Sequence, residues 1–322
     1  MRIGILADVH ANVYALEAVL ANGKSSVGRW WLIGDALGRG PAPVETLMRL
    51  REHVDTRHWL VGNHDLCITG LLPADDLSES EQPEQRVWED HRRRLKAHRP
   101  DGQRPLLWEW CRRTWRLERA KPRLIPTRSA DCWLVHAALG GRMFNVGHVP
   151  KYSYIFPWQD IEHQVIMDQQ FERLLAKREE KRTVVLIHGH THVPYLAVKP
   201  GGGDGHVLGP IHYGQPQRLG QFDAVLINPG SVGQPRNGDR MVHASYGILD
   251  TKASTFEFRR VLYDSEPTLL DMAVLDYDPS LIYFLKGNDD GNPLQGKSAI
   301  WLEWQRTYRE QPWGWEPVSS NE

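Results

Sequence analysis

Six stretches of this chain are apolar or β-branched for several residues and then stop abruptly at a polar residue that is able to bind metal or cap a strand. They run into Asp8 and His10, into Asp35, into Asn63 and His64, into His136, into His190 and His192, and into Asn228. A near-continuous apolar run of this kind fits a strand buried on both faces, which belongs to layered α/β proteins. Asn12 to Ala21 and Pro43 to His53 carry apolar residues at three- and four-residue spacing, and Ile161 to Lys181 closes in a charged helical run, so helices are expected between strands. An antiparallel section is expected from Tyr246 to Val261. The fold class is therefore α/β. In such sheets functional groups collect at the C-terminal ends of the strands.

The chain is long enough to bury such a layer. Its 322 residues suffice for one large domain or two modest ones, and 41% hydrophobic against 25% charged residues is a globular mixture. With 39 Lys+Arg against 40 Asp+Glu the net charge is −1, so no global attraction to nucleic acid or anionic membranes is implied. Cys67, Cys111 and Cys132 are odd in number and irregularly spaced, which argues against a disulfide scaffold and for a reducing, cytoplasmic location. The apolar opening from Met1 stops at Asp8, too early for a signal-peptide core, and no run of about 18 apolar residues suggests a membrane span.

A single His at a strand end is ordinarily a cap or a core residue. The joint pattern is what points to a site. Asp8, His10, Asp35, Asn63, His136, His190 and His192 would together supply two carboxylates, one amide oxygen and four imidazoles, the donor types suited to Mn, Fe, Zn or Ni. Seven groups are too many for one tetrahedral ion and about right for two, with a strand-end carboxylate such as Asp35 able to bridge. Two ions roughly 3.5 to 4 Å apart would hold a shared hydroxide and clamp a phosphoryl group. Asp8 and His10, like His190 and His192, are two residues apart, on one side of an extended segment. Glycines precede Asp35, Asn63 and His190, where the backbone must turn or approach a ligand closely. His64 sits beside Asn63 and is expected to reach over the metals as a general acid, with Asp65 following it as a carboxylate partner.

Asp8-x-His10, Gly34-Asp35, Gly62-Asn63-His64-Asp65, His136 and Gly189-His190-Thr191-His192, in that order, resemble the motif series of calcineurin-like metallophosphoesterases. Asn228-Pro-Gly-Ser-Val-Gly-Gln-Pro-Arg236 and Arg259-Arg-Val-Leu-Tyr-Asp264 are most similar to the prokaryotic phosphodiesterase branch. The resemblance covers residues 1–288 and implies a four-layer αββα sandwich of two mixed sheets flanked by helices. It implies one metal on Asp8, His10, Asp35 and His192 and a second on Asp35, Asn63, His136 and His190. His64 would contact phosphate or protonate the leaving group, and Asp65 would orient it. Arg39, within Gly38-Arg39-Gly40-Pro41, matches a position that contacts phosphate in the family's protein phosphatases and dinucleoside tetraphosphatases, which makes it a candidate phosphate clamp. His188 stands where the family usually has a small or apolar residue, and a packing role is expected for it.

Residues 66–128 read as an insertion. From Arg86 to Arg128 there are 14 Lys+Arg and 5 Asp+Glu, a local charge of +9, with Trp88, Trp108, Trp110 and Trp115 among them. Leu107, Trp110, Thr114 and Leu117 have helical spacing, so two helices are expected to pack an aromatic side on the sandwich and leave a basic face in water. The sharper alternative is a cap that attracts a polyanionic or nucleotide substrate. Arg142, Asn145, His148, Lys151 and either Tyr152 or Tyr154 follow His136 as pocket candidates. The glycine-rich stretch from Pro200 to Gly220 reads as a hairpin or loop insertion. Residues 289–322, with Trp301, Trp304, Trp313 and Trp315, read as a C-terminal extension that docks on its own domain or forms a subunit interface of a homo-oligomer. The expected activity is phosphomonoester or phosphodiester hydrolysis with two divalent ions. A protein phosphatase, a dinucleoside polyphosphate hydrolase, a nuclease and a non-catalytic scaffold of the same fold are the competing readings.

Overall fold

The computed structural model describes residues 1–72, 82–99, 102, 106–139, 154, 155, 157, 161–179, 182–201, 205–236, 241–282 and 285. The expected extension 289–322 and the pocket candidates from Arg142 to Tyr152 lie outside the described residues.

The first half alternates strand and helix: β1 (Arg2–Leu6), α1 (Val13–Gly23), β2 (Arg29–Ile33), α2 (Pro43–His53), β3 (Val54–Leu60) and α3 (Asn63–Thr69). Then come α4 (Gln82–Ala97), α5 (Leu106–Thr114), a 3-10 turn at Leu117–Ala120, β4 (Arg123–Pro126), β5 (Ala130–Val135), α6 (Ile161–Leu175) and β6 (Thr183–His188). The rest comprises β7 (Tyr195–Lys199), β8 (Val207–Gly209), β9 (Pro216–Arg218), β10 (Ala224–Asn228), β11 (His243–Asp250), β12 (Thr255–Leu262), α7 (Glu266–Val274) and α8 (Pro279–Ile282). Among the described residues the strands form two six-stranded sheets, ordered β3-β2-β1-β11-β12-β9 and β4-β5-β6-β10-β7-β8. Each is mixed. In the first, β3, β2 and β1 are parallel and β11 and β12 form the expected antiparallel section. In the second, β5, β6 and β10 are parallel and β4, β7 and β8 are antiparallel to their neighbours.

The apolar runs do not alternate with polar residues because both faces of each sheet are covered. Ile3, Ile5, Trp31 and Ile33 of the first sheet meet Cys132, Leu134, Val185, Ile187, Val225 and Ile227 of the second in a shared core. The residues between them face the other way: Leu6, Trp30 and Leu32 pack under α1 and α2, and Val184, Leu186 and Leu226 under α6. The order of layers is helices, sheet, sheet, helix, the αββα sandwich expected. Each large apolar side chain buried this way stabilises the stack by roughly 1.5–3 kcal/mol, which holds the strand ends rigidly.

Local signals set the element ends. Asn12 caps α1 by accepting from the Ala15 amide at 3.1 Å, and its own amide donates to the Gly233 carbonyl and the Tyr263 hydroxyl. Pro43 opens α2, whose bounds match the sequence pattern. The helix expected to run to Lys181 stops at Leu175, because the Lys177 and Arg178 amides turn back to carbonyls three residues earlier and close the last turn. On either side of the glycine-rich stretch after Pro200, β7 and β8 pair antiparallel. His188 is fully buried and bonds the Tyr195 hydroxyl, the packing role expected of it. Cys67, Cys111 and Cys132 are buried and form no disulfide. Among the described residues no helix is long and apolar enough to cross a membrane.

Candidate functional site

The parallel strands deliver the site. Asp8 and His10 follow β1, Asp35 follows β2, Asn63 follows β3, His136 follows β5, and His190 and His192 follow β6. All seven are buried, none more than 7% exposed. Asp8, His10 and His192 form one group whose donor atoms lie within 4.8 Å of one another, and Asp35, His136 and His190 form another. Asp35 also groups with His10 and His64, so it stands between the two. Asn63 joins through its Oδ1, 3.1 Å from His136 Nε2.

Holding these groups strains the backbone. Asp8, His10, Asp35, His190 and His192 have φ of 53°, 49°, 51°, 68° and 61°, in the left-handed region that residues other than glycine rarely adopt. Five such residues in one pocket mark a place where geometry is imposed by the surrounding sheets. The glycines at the strand ends act by close approach. A Cβ on Gly34, itself at φ +103°, would lie 2.3 Å from His136 Nδ1, and one on Gly62 would lie 2.1 Å from Asp35 Oδ1.

The hydrogen bonds decide what the pocket wants. His136 Nδ1 lies 2.9 Å from the Ile33 carbonyl and His192 Nδ1 lies 2.9 Å from the Gln234 carbonyl, so both Nδ1 atoms must carry the proton and donate. The Nε2 lone pair of neutral His136 then faces Asp35 Oδ2 at 3.2 Å and Asn63 Oδ1 at 3.1 Å. That of His192 faces His10 Nε2 at 3.0 Å and Asp8 Oδ1 at 3.7 Å. Wherever both atoms of such a pair present a lone pair, a cation or a shared proton relieves the repulsion, and the donor set suits a divalent ion. Without one, protons fill the role. Burial opposes a charge on His136, but the Asp35 carboxylate raises it to about 9. Burial likewise raises Asp8 to about 7, and it holds His10, His190 and His192 well below the usual imidazole range.

The family description "calcineurin-like phosphoesterase" matches residues 1–210. The chain belongs to this family. It is a hydrolase acting on phosphoric ester bonds, in a family that uses divalent metals. A metallophosphoesterase from Sphaerobacter thermophilus has the same architecture, with a TM-score of 0.63 and 25% identity over 89% of this chain and 98% of that one. An uncharacterised protein of Methanocaldococcus jannaschii is 26% identical over 268 residues, 81% of this chain and 88% of the relative. A symmetrical bis(5'-nucleosyl)-tetraphosphatase of Psychromonas ingrahamii is 39% identical over 69 residues, 21% of this chain and 25% of the relative.

Around the calcineurin-like pocket lies a second layer that starts at Asn228, the end of the sixth apolar run. Asn228 donates to the Gly189 carbonyl and the Thr191 hydroxyl, and Ser231 donates to the Asp8 carbonyl, so the Asn228-to-Gln234 loop braces the turns bearing Asp8, His190 and His192. Asp65 corrects an expectation. It sits in the first turn of α3, where its carboxylate accepts from the amides of Gly62, Ala36 and Leu37, which pins the turn after Asp35. It makes no bond to the His64 ring. That ring is met by α4, where the Trp88 indole N–H donates to His64 Nδ1 at 2.8 Å. Glu84, one turn earlier, pairs with Arg39 and brings Oε2 to 3.9 Å from His64 Nε2. Tyr154 stacks on His190, ring centroids 4.2 Å apart. Arg236 is half-buried beside the cluster, and desolvation with the neighbouring Arg39 charge lowers it to about 10. The signal for Arg236 was its place in the Asn228-to-Arg236 motif; Glu84 and the Trp88 contact had none. In the basic segment Trp110 and Trp115 pack with Trp59, the aromatic packing on the sandwich that was expected, while Trp88 bonds His64.

Proposed function

We propose that this chain hydrolyses phosphomonoesters or phosphodiesters at the strand-end pocket with two divalent ions of the Mn, Fe, Zn or Ni type. The observation that carries the reading is the buried set of nitrogen and oxygen atoms that Asp8, His10, Asp35, Asn63, His136, His190 and His192 bring together in adjoining groups. Asp8, His10 and His192 would hold one ion and Asn63, His136 and His190 the other, with Asp35 shared. The ions, when bound, supply Lewis-acid charge and draw a nucleophile from water at neutral pH. The chain's own residues do the rest. The carbonyls of Ile33 and Gln234 fix the tautomers of His136 and His192, so their Nε2 atoms stay turned inward. Arg39 and Arg236 place two guanidiniums beside the cluster, suited to orient an anionic ester. His64 presents Nε2 to the same space, where it contacts phosphate or assists the leaving oxygen. A cytoplasmic location, consistent with three cysteines that form no disulfide, belongs to the same reading.

A second reading, hydrolysis of dinucleoside polyphosphates, is favoured by the two guanidiniums and by the partial likeness to the tetraphosphatase. One comparison tests both. The metal-loaded protein is assayed on p-nitrophenyl phosphate, bis(p-nitrophenyl) phosphate and diadenosine tetraphosphate, beside Asp35→Asn and His64→Ala. Asp35→Asn is expected to lose bound metal and turnover together, and His64→Ala to keep metal while turnover falls about a hundredfold or more. Faster hydrolysis of the tetraphosphate than of either nitrophenyl ester selects the second reading, and full turnover by Asp35→Asn rules out both.

A further inference from the structure

We infer that Trp88, carried by α4, is a positioning residue for His64, whose ring groups with His10 and Asp35: its indole N–H locks that ring in the tautomer that holds its proton on Nε2. The inference rests on the proposed role of His64 at the pocket. Its own basis is the hydrogen bond. An indole nitrogen donates and cannot accept, so at 2.8 Å from Trp88 Nε1 the His64 Nδ1 must present its lone pair. The neutral ring then keeps its one proton on Nε2. The remaining contacts place the ring beside the candidate ligands, with Nε2 on the side of the Glu84–Arg39 pair. The His64 backbone N–H donates to Asp35 Oδ1 at 3.0 Å, its ring meets His10 edge-on with centroids 4.8 Å apart, and Nε2 faces Glu84 Oε2 at 3.9 Å. Trp88 and His64 are each only 4% exposed, so water does not compete for Nδ1.

The choice of partner has a chemical consequence. A carboxylate at Nδ1 would favour a ring that also carries charge, whereas an indole N–H opposes a second proton on that nitrogen, because two donors would then face each other. His64 is thereby set to offer Nε2–H as a hydrogen-bond donor to a phosphoryl or leaving-group oxygen. Asp65, the neighbour in sequence, is committed to three backbone amides and takes no part. The residue that sets the ring comes instead from 24 positions further along the chain.

The test has two arms. In the protein as purified and after metal removal, two-dimensional nitrogen-15 NMR of the imidazoles, assigned with His64→Ala, reads the tautomer directly. Protonated Nε2 with hydrogen-bonded Nδ1 is expected, and a protonated Nδ1 overturns the inference whatever the catalytic role of His64. In the second arm, Trp88→Phe keeps an aromatic ring and removes the donor. Metal content and KM for bis(p-nitrophenyl) phosphate should hold while kcat falls about tenfold, the size typical of losing an orienting partner. The same substitution made on His64→Ala should add nothing, since both changes act through one ring. An equal further loss in that background overturns the inference. Unchanged turnover by His64→Ala alone overturns the catalytic reading of His64, and with it the kinetic arm, while the tautomer still reports on Trp88.

Discussion

Left-handed backbone costs an ordinary residue roughly 1–2 kcal/mol, and five of the seven candidate ligands bear it. Nothing in local propensity favours this. Each of the five sits just past a strand whose position is fixed by apolar packing on both faces, so the stack offsets the strain and converts it into a fixed arrangement of donors. Gly34 shows how little room remains, since it combines φ +103° with a Cβ position 2.3 Å from His136. Gly34→Ala is therefore expected to push the imidazole off the Ile33 carbonyl, lower the melting temperature by several degrees and cut metal uptake by tenfold or more, of order 1–3 kcal/mol of strain. Differential scanning fluorimetry with metal analysis of the dialysed protein checks this. Wild-type metal content in that variant would show that the His136 orientation is not needed. At this scale the ligands were legible in the sequence, because each ends an apolar run. The partner of His64 was not legible: Asp65 is adjacent in sequence, but its place in the first helical turn directs its carboxylate to backbone amides.

Among the elements, α4 has the least local reason to be where it is and the most consequences for the site. It is anchored over the turn that carries Arg39: His91 Nε2 donates to the Gly40 carbonyl at 2.8 Å, Arg94 bonds the Pro41 carbonyl, and Asp90 accepts from the Tyr277 hydroxyl at 3.1 Å. From that footing Glu84 and Trp88 reach Arg39 and His64. His91 is fully buried, and burial lowers it from 6.5 to about 4 despite the bond to Gly40. The unfolded chain binds a proton near 6.5 that the folded chain refuses until about 4, so this residue's share of stability is present above pH 6.5 and is lost as pH falls. His91→Gln keeps a donor for Gly40 and removes the titration. Between pH 8 and pH 5 the wild type should lose about 2 kcal/mol more stability than the variant. Urea unfolding at the two pH values measures the difference, and parallel losses would place His91 in contact with water. The sequence announced α1 and α2 through their apolar spacing and Pro43, and it marked the Trp-rich segment as helical. It carried no sign of which face of α4 would meet the site, since that face is set by long-range bonds to Gly40, Pro41 and Tyr277.

Across the whole molecule, the two sheets repeat one device. Three parallel strands in each stop at the same edge, and their ends meet there. Asp8, Asp35 and Asn63 come from the first sheet, and His136, His190 and His192 from the second. The shared inner core of Ile3, Ile5, Ile33, Leu134, Val185 and Ile187 sets the spacing between the two edges, so the geometry of the candidate ligands is a property of the packed sandwich. This much was legible from six apolar runs and their terminal residues. The Asn228-to-Gln234 brace, Arg236 and the α4 contacts depend on chain segments that meet only after both sheets have formed. The most direct measurement is anomalous diffraction from crystals of the manganese-loaded protein. Two peaks roughly 3.5–4 Å apart, with the Asp35 carboxylate between them, are the predicted result. A single peak, two peaks not shared by Asp35, or none within reach of Asp8 and His190 would contradict it.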